Sequence, residues 1–238
     1  MEVSDKGYTM RYKWVLFDAD GTLFDYDRAE ATALRRTLGE FGCSYKARYA
    51  EIYRQINQEI WREFEQGRIS QHRLRTRRFK LLFEEIGVVC DPDQFSTRYL
   101  LHLAAGTDLI EGAAEVVRWL HGKAGLVLIT NGMPEVQRPR FARSDLSDYF
   151  ADIVISEEVG AAKPDPKIFD AAFQVMNWPN KEEVLMVGDS LTSDINGGNS
   201  YGIDTCWFNP RQDPYTVDAK SRFEIRELRE LLKLFEEI

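Results

Sequence analysis

The chain has 238 residues, of which 44% are hydrophobic and 29% charged, and its formal net charge is −8. This length suits one large domain or two modest ones with a buried core, and the acidic balance argues against polymeric nucleic acid as a partner, because such binding depends on a basic surface. The three cysteines are scattered, which predicts a cytoplasmic protein without a disulfide framework or zinc site. We see no apolar leader and no apolar run of about 18 residues, so we expect no signal peptide and no membrane segment.

The first predicted element is a short buried strand that ends in two acids. Residues 14–17 are apolar, and Asp18 and Asp20 follow directly. A continuous apolar run is typical of a parallel sheet that is covered on both faces. Acids at the carboxyl end of such a strand lie where open α/β sheets bind their ligands, and two carboxylates there suit a divalent metal ion.

Four helices follow without a strand between them. Their apolar residues recur at steps of three and four, and glycines or capping residues mark their ends. We predict these helices at 28–41, 46–66, 70–86 and 91–106. Because this stretch is far too long for an ordinary crossover between strands, we expect a helical domain inserted at residues 25–105.

Strands and helices alternate in the rest of the chain, which predicts a parallel sheet of βαβ units. We therefore expect an α/β, Rossmann-like core formed by residues 1–24 and 106–238. The predicted strands are 126–129, 153–155, 184–187 and 204–208, the predicted helices are 113–121, 136–143, 166–176 and 193–201, and a charged amphipathic helix is predicted from Glu224.

Polar residues collect after successive strands of this predicted core. Each pair or single residue is weak by itself, since an acid after a strand is often only a helix cap or part of a turn. The carboxyl ends of parallel strands share one edge of the sheet, so these side chains can converge. They are Asp18 and Asp20, Thr130 and Asn131, Lys163, and Asp189 and Asp194.

The acids suit phosphoryl transfer, which needs a nucleophile, a metal ion that offsets charge repulsion, and donors for the transferring oxygens. Asp18 can attack phosphorus and form an aspartyl-phosphate. Asp20 can protonate the leaving oxygen and later deprotonate water. Asp189 can complete an oxygen-rich site for Mg²⁺.

The remaining polar residues supply donors and positive charge. Thr130 and the amide of Asn131 can donate to phosphoryl oxygens, and Lys163 can neutralise charge on both Asp18 and the phosphate. Asp194 lies five residues after Asp189, about one and a half helical turns. We therefore expect Asp194 to orient the lysine or a metal-bound water.

Four segments resemble the motifs of the haloacid dehalogenase superfamily and occur in that family's order: 18–22, 129–132, 163–164 and 188–194. The insert lies where that family places a helical cap of the C1 type. The resemblance implies a Rossmann-like core, Mg²⁺, and a main-chain carbonyl of Asp20 that faces the metal. True haloacid dehalogenases lack an acid at the position of Asp20, which argues against hydrolysis of carbon–halogen bonds.

Further segments resemble the noncanonical pyrimidine nucleotidases of the bacterial YjjG/YfnB type: 57–61, 155–160 and 188–209. That resemblance implies 5′-dephosphorylation of pyrimidine (deoxy)nucleoside monophosphates. As a separate expectation, the protein is a monomer or homodimer. Two alternatives keep the same nucleophile: a phosphatase for a sugar phosphate or another small metabolite, and a phosphomutase. A third is a non-catalytic binding protein, against which the intact set of acids and Lys163 argues.

The inserted helices offer one candidate for contact with a nucleobase. Trp61 can stack on a base, a contact worth about 1–3 kcal/mol, and it can equally well pack its helix against a neighbouring one. We expect Phe24 and Tyr26 to pack. The basic residues of 68–80, Arg78 among them, are interpreted as a solvated helix face.

Overall fold

The computed structural model describes residues 11–215 and 220–236. Its backbone contacts divide the chain into two compact units. Unit 1 comprises Met1–Leu23, Leu109–Asn131 and Asp145–Ile238, and unit 2 comprises Phe24–Asp108 and Gly132–Ser144. The predicted insert, residues 25–105, lies within unit 2, and its role as a cap domain stays a prediction.

Strands and helices are numbered separately along the chain. The strands are β1 (Trp14–Phe17), β2 (Gly125–Thr130), β3 (Asp152–Ile155), β4 (Val184–Gly188), β5 (Asp204–Phe208) and β6 (Phe223–Ile225). The helices are α1 (Tyr26–Glu40), α2 (Ala47–Glu65), α3 (Gln71–Ile86), α4 (Pro92–Ala104), α5 (Ala113–Leu120), α6 (Pro134–Arg143), α7 (Ser156–Val159), α8 (Pro166–Val175), α9 (Asn196–Tyr201) and α10 (Lys233–Glu236).

Unit 1 is built on a parallel sheet that runs in the order β3-β2-β1-β4-β5-β6. Leu16 of β1 lies beside Val127 of β2 and Met186 of β4, and all three side chains are buried. The chain moves from β1 outward to β2 and β3 and then returns to the other side of β1. This reversal is the point where open α/β sheets bind ligands, and the predicted α/β, Rossmann-like sheet is confirmed.

The end of the chain differs from the predicted amphipathic helix. Phe223–Ile225 forms β6, which pairs with β5, and Leu228–Leu232 forms a 3₁₀ helix before the short α10. Leu228 and Leu231 are fully buried, and their spacing of three residues matches the repeat of a 3₁₀ helix. The prediction of one helix from Glu224 was wrong. Strand pairing at the sheet edge and the 3₁₀ helix together bury the apolar residues that the predicted helix was expected to bury.

Unit 2 contains α1–α4 and α6 around an aromatic core. Phe79 of α3 stacks on Tyr53 of α2 at 5.4 Å between ring centroids and meets Tyr99 and Phe95 of α4 edge-on or tilted at 4.9 and 5.1 Å. Such aromatic pairs add about 0.5–1.5 kcal/mol beyond the burial of their area. Capping side chains fix the helix starts, as Ser70 accepts a hydrogen bond from the main-chain N–H of Arg73.

Two predictions about unit 2 can be compared with this packing. Trp61 is partly buried against the core cluster of unit 2 and meets Phe64 edge-on, so packing accounts for its position, and its contact with substrate stays a prediction. Arg78 is only 1% exposed. The interpretation of the basic stretch as a solvated face was therefore wrong for Arg78, whose guanidinium lies over the rings of Phe79 and Tyr99.

The described residues contain no helix that combines the length and the apolar character needed to cross a bilayer.

Candidate active site

The candidate site lies in unit 1 at the carboxyl ends of β1, β2 and β4. Asp18 directly follows β1, and its main-chain N–H donates to the carbonyl of Val187 in β4 at 2.9 Å. Asp189 directly follows β4, and Thr130 is the last residue of β2. The polar residues that the sequence places at separate strand ends therefore share one edge of the sheet, beside its point of reversal.

Lys163 connects two of the acids of this site. Its Nζ atom donates to Asp18 Oδ1 at 2.6 Å, to Asp194 Oδ1 at 2.7 Å and to the carbonyl of Ile129 at 2.8 Å. These contacts use all three donors of an ammonium group, and the side chain is 1% exposed. A buried charge is costly unless it is paired and hydrogen-bonded, and here both conditions are met.

Burial and neighbouring charges together raise the pKa values of Asp18, Asp189 and Lys163. Burial raises the pKa of Asp18 to about 7, while Lys163 opposes this rise. Burial, followed by the charges of Asp18 and Asp194, raises the pKa of Asp189 well above its usual range. Burial by itself would lower the pKa of Lys163, but the two carboxylates beside it raise the pKa above its ordinary value.

Asn131 holds the main chain of Lys163 with both ends of its side-chain amide. Asn131 Oδ1 accepts from the main-chain N–H of Lys163 at 2.7 Å, and Asn131 Nδ2 donates to the Lys163 carbonyl at 2.9 Å. The predicted contact from Asn131 to a phosphoryl oxygen concerned its main-chain amide and stays a prediction. The side chain has a second role that the sequence did not indicate, which is to hold the main chain of Lys163 in place.

Asp194 is engaged through both of its carboxylate oxygens. Oδ1 accepts from Lys163, and Oδ2 accepts from the main-chain N–H of Ser190 at 3.0 Å. A Cβ atom at Gly188 would lie 2.2 Å from that Oδ2, so this approach requires glycine. The geometry favours the predicted role of Asp194 in orienting the lysine, because neither oxygen is left to act alone as a metal ligand.

A divalent cation fits the carboxylates of this site. Asp18, Asp189 and Asp194 each place one oxygen so that all three atoms lie within 4.8 Å of one another, and Lys163 balances only part of their charge. Oxygen donors of this kind suit hard cations such as Mg²⁺. Both oxygens of Asp194 accept hydrogen bonds of 2.7 and 3.0 Å, whereas Asp18 Oδ2 has a longer contact of 3.4 Å from Thr22. Asp18 and Asp189 are therefore the side chains that would hold the ion.

The lack of a side chain at Gly21 leaves room for the carboxylate of Asp189. Gly21 has φ +84°, and a Cβ atom at this position would lie 2.6 Å from Asp189 Oδ2. A side chain at residue 21 would therefore be strained in its backbone and would also displace the carboxylate. The glycine after the paired acids thus has two structural reasons to be glycine.

The other predicted residues are placed as follows. Thr130 is buried at the end of β2, and Asp20 lies partly exposed two residues after Asp18. Trp61 belongs to unit 2. Asp18, Asn131, Lys163, Asp189 and Asp194 are brought together within unit 1, and the chemical role of each stays a prediction.

The side chains of Trp207 and Thr22 contact the acids but were missing from the predicted site. The indole Nε1 of Trp207 donates to the main-chain carbonyl of Asp189 at 2.8 Å, and Thr22 Oγ1 donates to Asp18 Oδ2 at 3.4 Å. Thr22 follows the paired acids closely and could have been included on spacing alone. Trp207 lies in the apolar pattern of β5, where nothing in the sequence separates it from an ordinary core residue.

The fold and this edge of its sheet place the chain among hydrolases with a Rossmann-like core. More narrowly, the chain belongs to the haloacid dehalogenase-like hydrolase family, whose sequence model matches residues 12–202. It is 37% identical over 224 residues to pyrimidine 5′-nucleotidase PynA of Streptococcus pneumoniae, covering 94% of each chain. It is 34% identical over 225 residues to pyrimidine 5′-nucleotidase YjjG of Escherichia coli, covering 94% of this chain and 98% of that protein.

A solved structure resembles the whole chain. The crystal structure of the HAD-hydrolase YfnB of Bacillus subtilis, bound to magnesium, has a TM-score of 0.90 and 36% sequence identity to this chain, and the match covers 94% of this chain and 99% of that one. The predicted resemblance to the superfamily and to the YjjG/YfnB type is confirmed by these relatives.

Proposed function

We propose that this chain is a Mg²⁺-dependent 5′-nucleotidase that hydrolyses pyrimidine nucleoside monophosphates through an aspartyl-phosphate on Asp18. The observation that carries this proposal is the contact of Lys163 with Asp18 and Asp194 beside Asp189. It supplies a nucleophilic carboxylate, a fixed positive charge and an oxygen-rich metal site at one sheet edge. The enzyme class follows from the family.

Asp18 suits the role of nucleophile better than the other two acids. Its Oδ1 atom is held by Lys163, which orients the carboxylate, and among the described residues its Oδ2 atom has only the long contact from Thr22. Asp194 has both oxygens occupied. An orienting contact on one oxygen with the other directed to substrate is the arrangement that attack on phosphorus requires.

The reaction divides into two displacements. Asp18 forms a bond to phosphorus while the bond to the 5′-oxygen of the nucleoside breaks, and Asp20 donates a proton to that oxygen. Asp20 then takes a proton from water as the water attacks phosphorus, and Asp18 is released with inorganic phosphate. Thr130 and the main chain of Asn131 donate to the phosphoryl oxygens in both steps, and the positive charge of Lys163 offsets the charge on Asp18 and the phosphate. When bound, Mg²⁺ would reduce the repulsion between carboxylate and phosphate.

The substrate class rests on the relatives. Two proteins that are 34% and 37% identical over nearly the whole chain are named pyrimidine 5′-nucleotidases. We propose the same small substrates here, with Trp61 as a candidate contact to the base. A cytoplasmic location and a monomeric or homodimeric state remain predictions.

Phosphate release from a substrate panel tests the function. The panel contains uridine, cytidine and thymidine monophosphates, the purine monophosphates and several sugar phosphates, each with Mg²⁺ and with a chelator. We expect release that depends on Mg²⁺ and a kcat/KM for pyrimidine nucleotides at least about tenfold above that for the others. A higher kcat/KM for a sugar phosphate would replace the nucleotidase with a metabolite phosphatase, and isomerised product without free phosphate would indicate a mutase.

The nucleophile is tested separately with Asp18→Asn. We expect activity to fall by at least about 10³-fold, because covalent attack is lost. The matched control is Asp170→Asn, since Asp170 accepts a hydrogen bond from the Tyr201 hydroxyl outside the acid cluster. Release at the wild-type rate by D18N would refute the assignment, and absence of turnover in the wild type with Mg²⁺ bound would favour the binding protein.

A further inference from the structure

Two thiols of unit 2 lie side by side although they are far apart in the chain. Cys43 Sγ and Cys90 Sγ are 4.0 Å apart, and 47 positions separate the two residues. Cys43 lies in the connection between α1 and α2, and Cys90 lies in the connection between α3 and α4. The fold of unit 2 therefore brings two connections to one place and sets a sulfur atom on each.

Both thiols can be reached from solvent. Each side chain is partly exposed, and neither residue belongs to a helix. Val89, next to Cys90, is fully exposed. A disulfide has sulfur atoms about 2 Å apart, so closing the bond needs an approach of about 2 Å, which side-chain rotation and a small shift of the two connections can supply.

We propose that Cys43 and Cys90 form a modification site, a dithiol that small-molecule disulfides such as oxidised glutathione convert reversibly into one intramolecular disulfide. Such a pair differs from the structural disulfide framework that the sequence excludes, because it is reduced in the resting protein and closes only when the disulfide reagent is present. The site is independent of the proposed catalytic function.

The exchange proceeds in two thiol–disulfide steps. The thiolate of Cys43 attacks one sulfur of oxidised glutathione, forming a mixed disulfide and releasing one glutathione thiolate. Cys90 then attacks the Cys43 sulfur and expels the second glutathione thiolate. The two protein thiols are oxidised to one disulfide, and oxidised glutathione is reduced to two glutathione molecules, which take up the two protons.

The order of attack follows from the surroundings of the two thiols. Burial, together with the hydrogen bond to Cys43, raises the pKa of the Cys90 thiol, so Cys90 suits the second, intramolecular step, in which the sulfur it attacks is already adjacent. Cys206 provides an internal contrast. It is fully buried in β5, and this burial raises the pKa of its thiol.

Oxidation of the full-length native protein tests the proposal. The wild type, Cys43→Ser and Cys90→Ser are incubated with oxidised glutathione, and free thiols and intact masses are measured. We expect the wild type to fall from three free thiols to one, to lose the mass of two hydrogen atoms and to yield a peptide that joins Cys43 to Cys90. Neither serine variant should lose that mass, and a reducing agent should restore all three thiols.

Other results would overturn the proposal. These are a wild type that keeps three thiols, one that accumulates a stable mixed disulfide, and one that forms disulfide-linked dimers. The oxidised wild type should also melt roughly 5–15 °C higher, because the bond closes a long loop in the unfolded chain. An unchanged or lower melting temperature would show that the two connections are not arranged for closure.

Discussion

The indole of Trp207 holds the peptide group of Asp189. Trp207 Nε1 donates to the Asp189 carbonyl at 2.8 Å, and the ring is 3% exposed and packed with Leu191 and Ile195. A buried indole N–H needs an acceptor, and here that acceptor is the main chain of a proposed metal ligand. The contact therefore links the packing of β5 to the position of the Asp189 carboxylate.

Replacing Trp207 by Phe should weaken Mg²⁺ binding by about tenfold, because residues that orient metal ligands typically contribute 10–100-fold in affinity. Phenylalanine keeps an aromatic ring against Leu191 and Ile195 but removes the donor. Isothermal titration of Mg²⁺ into the substrate-free protein measures the effect. The kcat at saturating Mg²⁺ should change less than the Mg²⁺ dissociation constant.

Trp119→Phe is the matched control for this substitution. Trp119 lies in α5 of unit 1, where its ring meets Phe235 edge-on and lies under the ammonium of Lys123. The W119F variant should bind Mg²⁺ with the dissociation constant of the wild type. An unchanged Mg²⁺ dissociation constant in W207F would contradict the role of the indole donor, whereas loss of binding in both variants would point to a general effect on unit 1.

A methyl group at residue 21 should disrupt the acid cluster. In Gly21→Ala the new Cβ would lie 2.6 Å from Asp189 Oδ2, so the carboxylate must move, and we expect kcat/KM to fall by at least about tenfold through its misplacement. Gly122→Ala is the control, because Gly122 also has positive φ, at +77°, with no atom within 4 Å of its Cβ position. Both variants should lose about 1 kcal/mol of stability to backbone strain, and equal activity in the two would contradict this account.

The sequence predicts strands β1 to β5 and the convergence of the acids at one sheet edge, whereas β6 was missed. β1, β2 and β4 are continuous apolar runs that are followed by polar residues. This local pattern is sufficient to predict the strands, because strands of a parallel sheet that is covered on both faces are typically continuous apolar runs. Asp18, Asp189 and Asp194 could be grouped because they follow β1 and β4, and Lys163 could be added because it follows β3 after a loop.

The contacts that position those residues could not be predicted. Trp207 and the side chain of Asn131 act through main-chain groups of distant residues, and such partners leave no periodic or compositional signal. The burial of Arg78 was also missed, since charge alone favours solvent. Whether a helix face meets water or a neighbouring helix depends on packing between elements that are far apart in the chain.

Removing the side chain of Asn131 should impair catalysis through Lys163. Asn131→Ala leaves the main-chain N–H and C=O of Lys163 without their side-chain partner, and a shift of the ammonium by about 1 Å can cost about 10²-fold in rate. We expect kcat to fall by this order. Asn199→Ala is the control, because Asn199 also bonds a main-chain carbonyl, that of Lys220, and a side chain, that of Thr205, outside the site. Equal kcat values for N131A and wild type would contradict the positioning role.

Glu30 is a buried acid of unit 2 that should make stability depend on pH. Its carboxylate is 3% exposed and accepts from Asn57 Nδ2 at 2.9 Å. Burial raises its pKa from 4.5 to about 7, with Asp27 adding to the rise and Arg54 and Arg78 opposing it. An acid whose pKa is raised by folding contributes stability that is present below its unfolded pKa and is lost as the pH rises through its folded pKa.

Glu30→Gln should remove this dependence. Glutamine keeps an oxygen for Asn57 but never ionises, so the free energy of unfolding of the wild type should fall relative to E30Q, by up to about 3 kcal/mol, as the pH rises from 4.5 to about 7. Urea unfolding at a series of pH values measures the difference. Glu40→Gln is the control, because hydrogen bonding by Arg98 lowers the pKa of Glu40 to about 2. Because Glu40 also hydrogen-bonds His102, this comparison is made below about pH 6, where the free energy of unfolding of the wild type should rise relative to E40Q as the pH rises through about 4.5, opposite in sign to the effect of Glu30. A constant difference for E30Q between about pH 4.5 and 7 would show that Glu30 remains ionised in the folded protein.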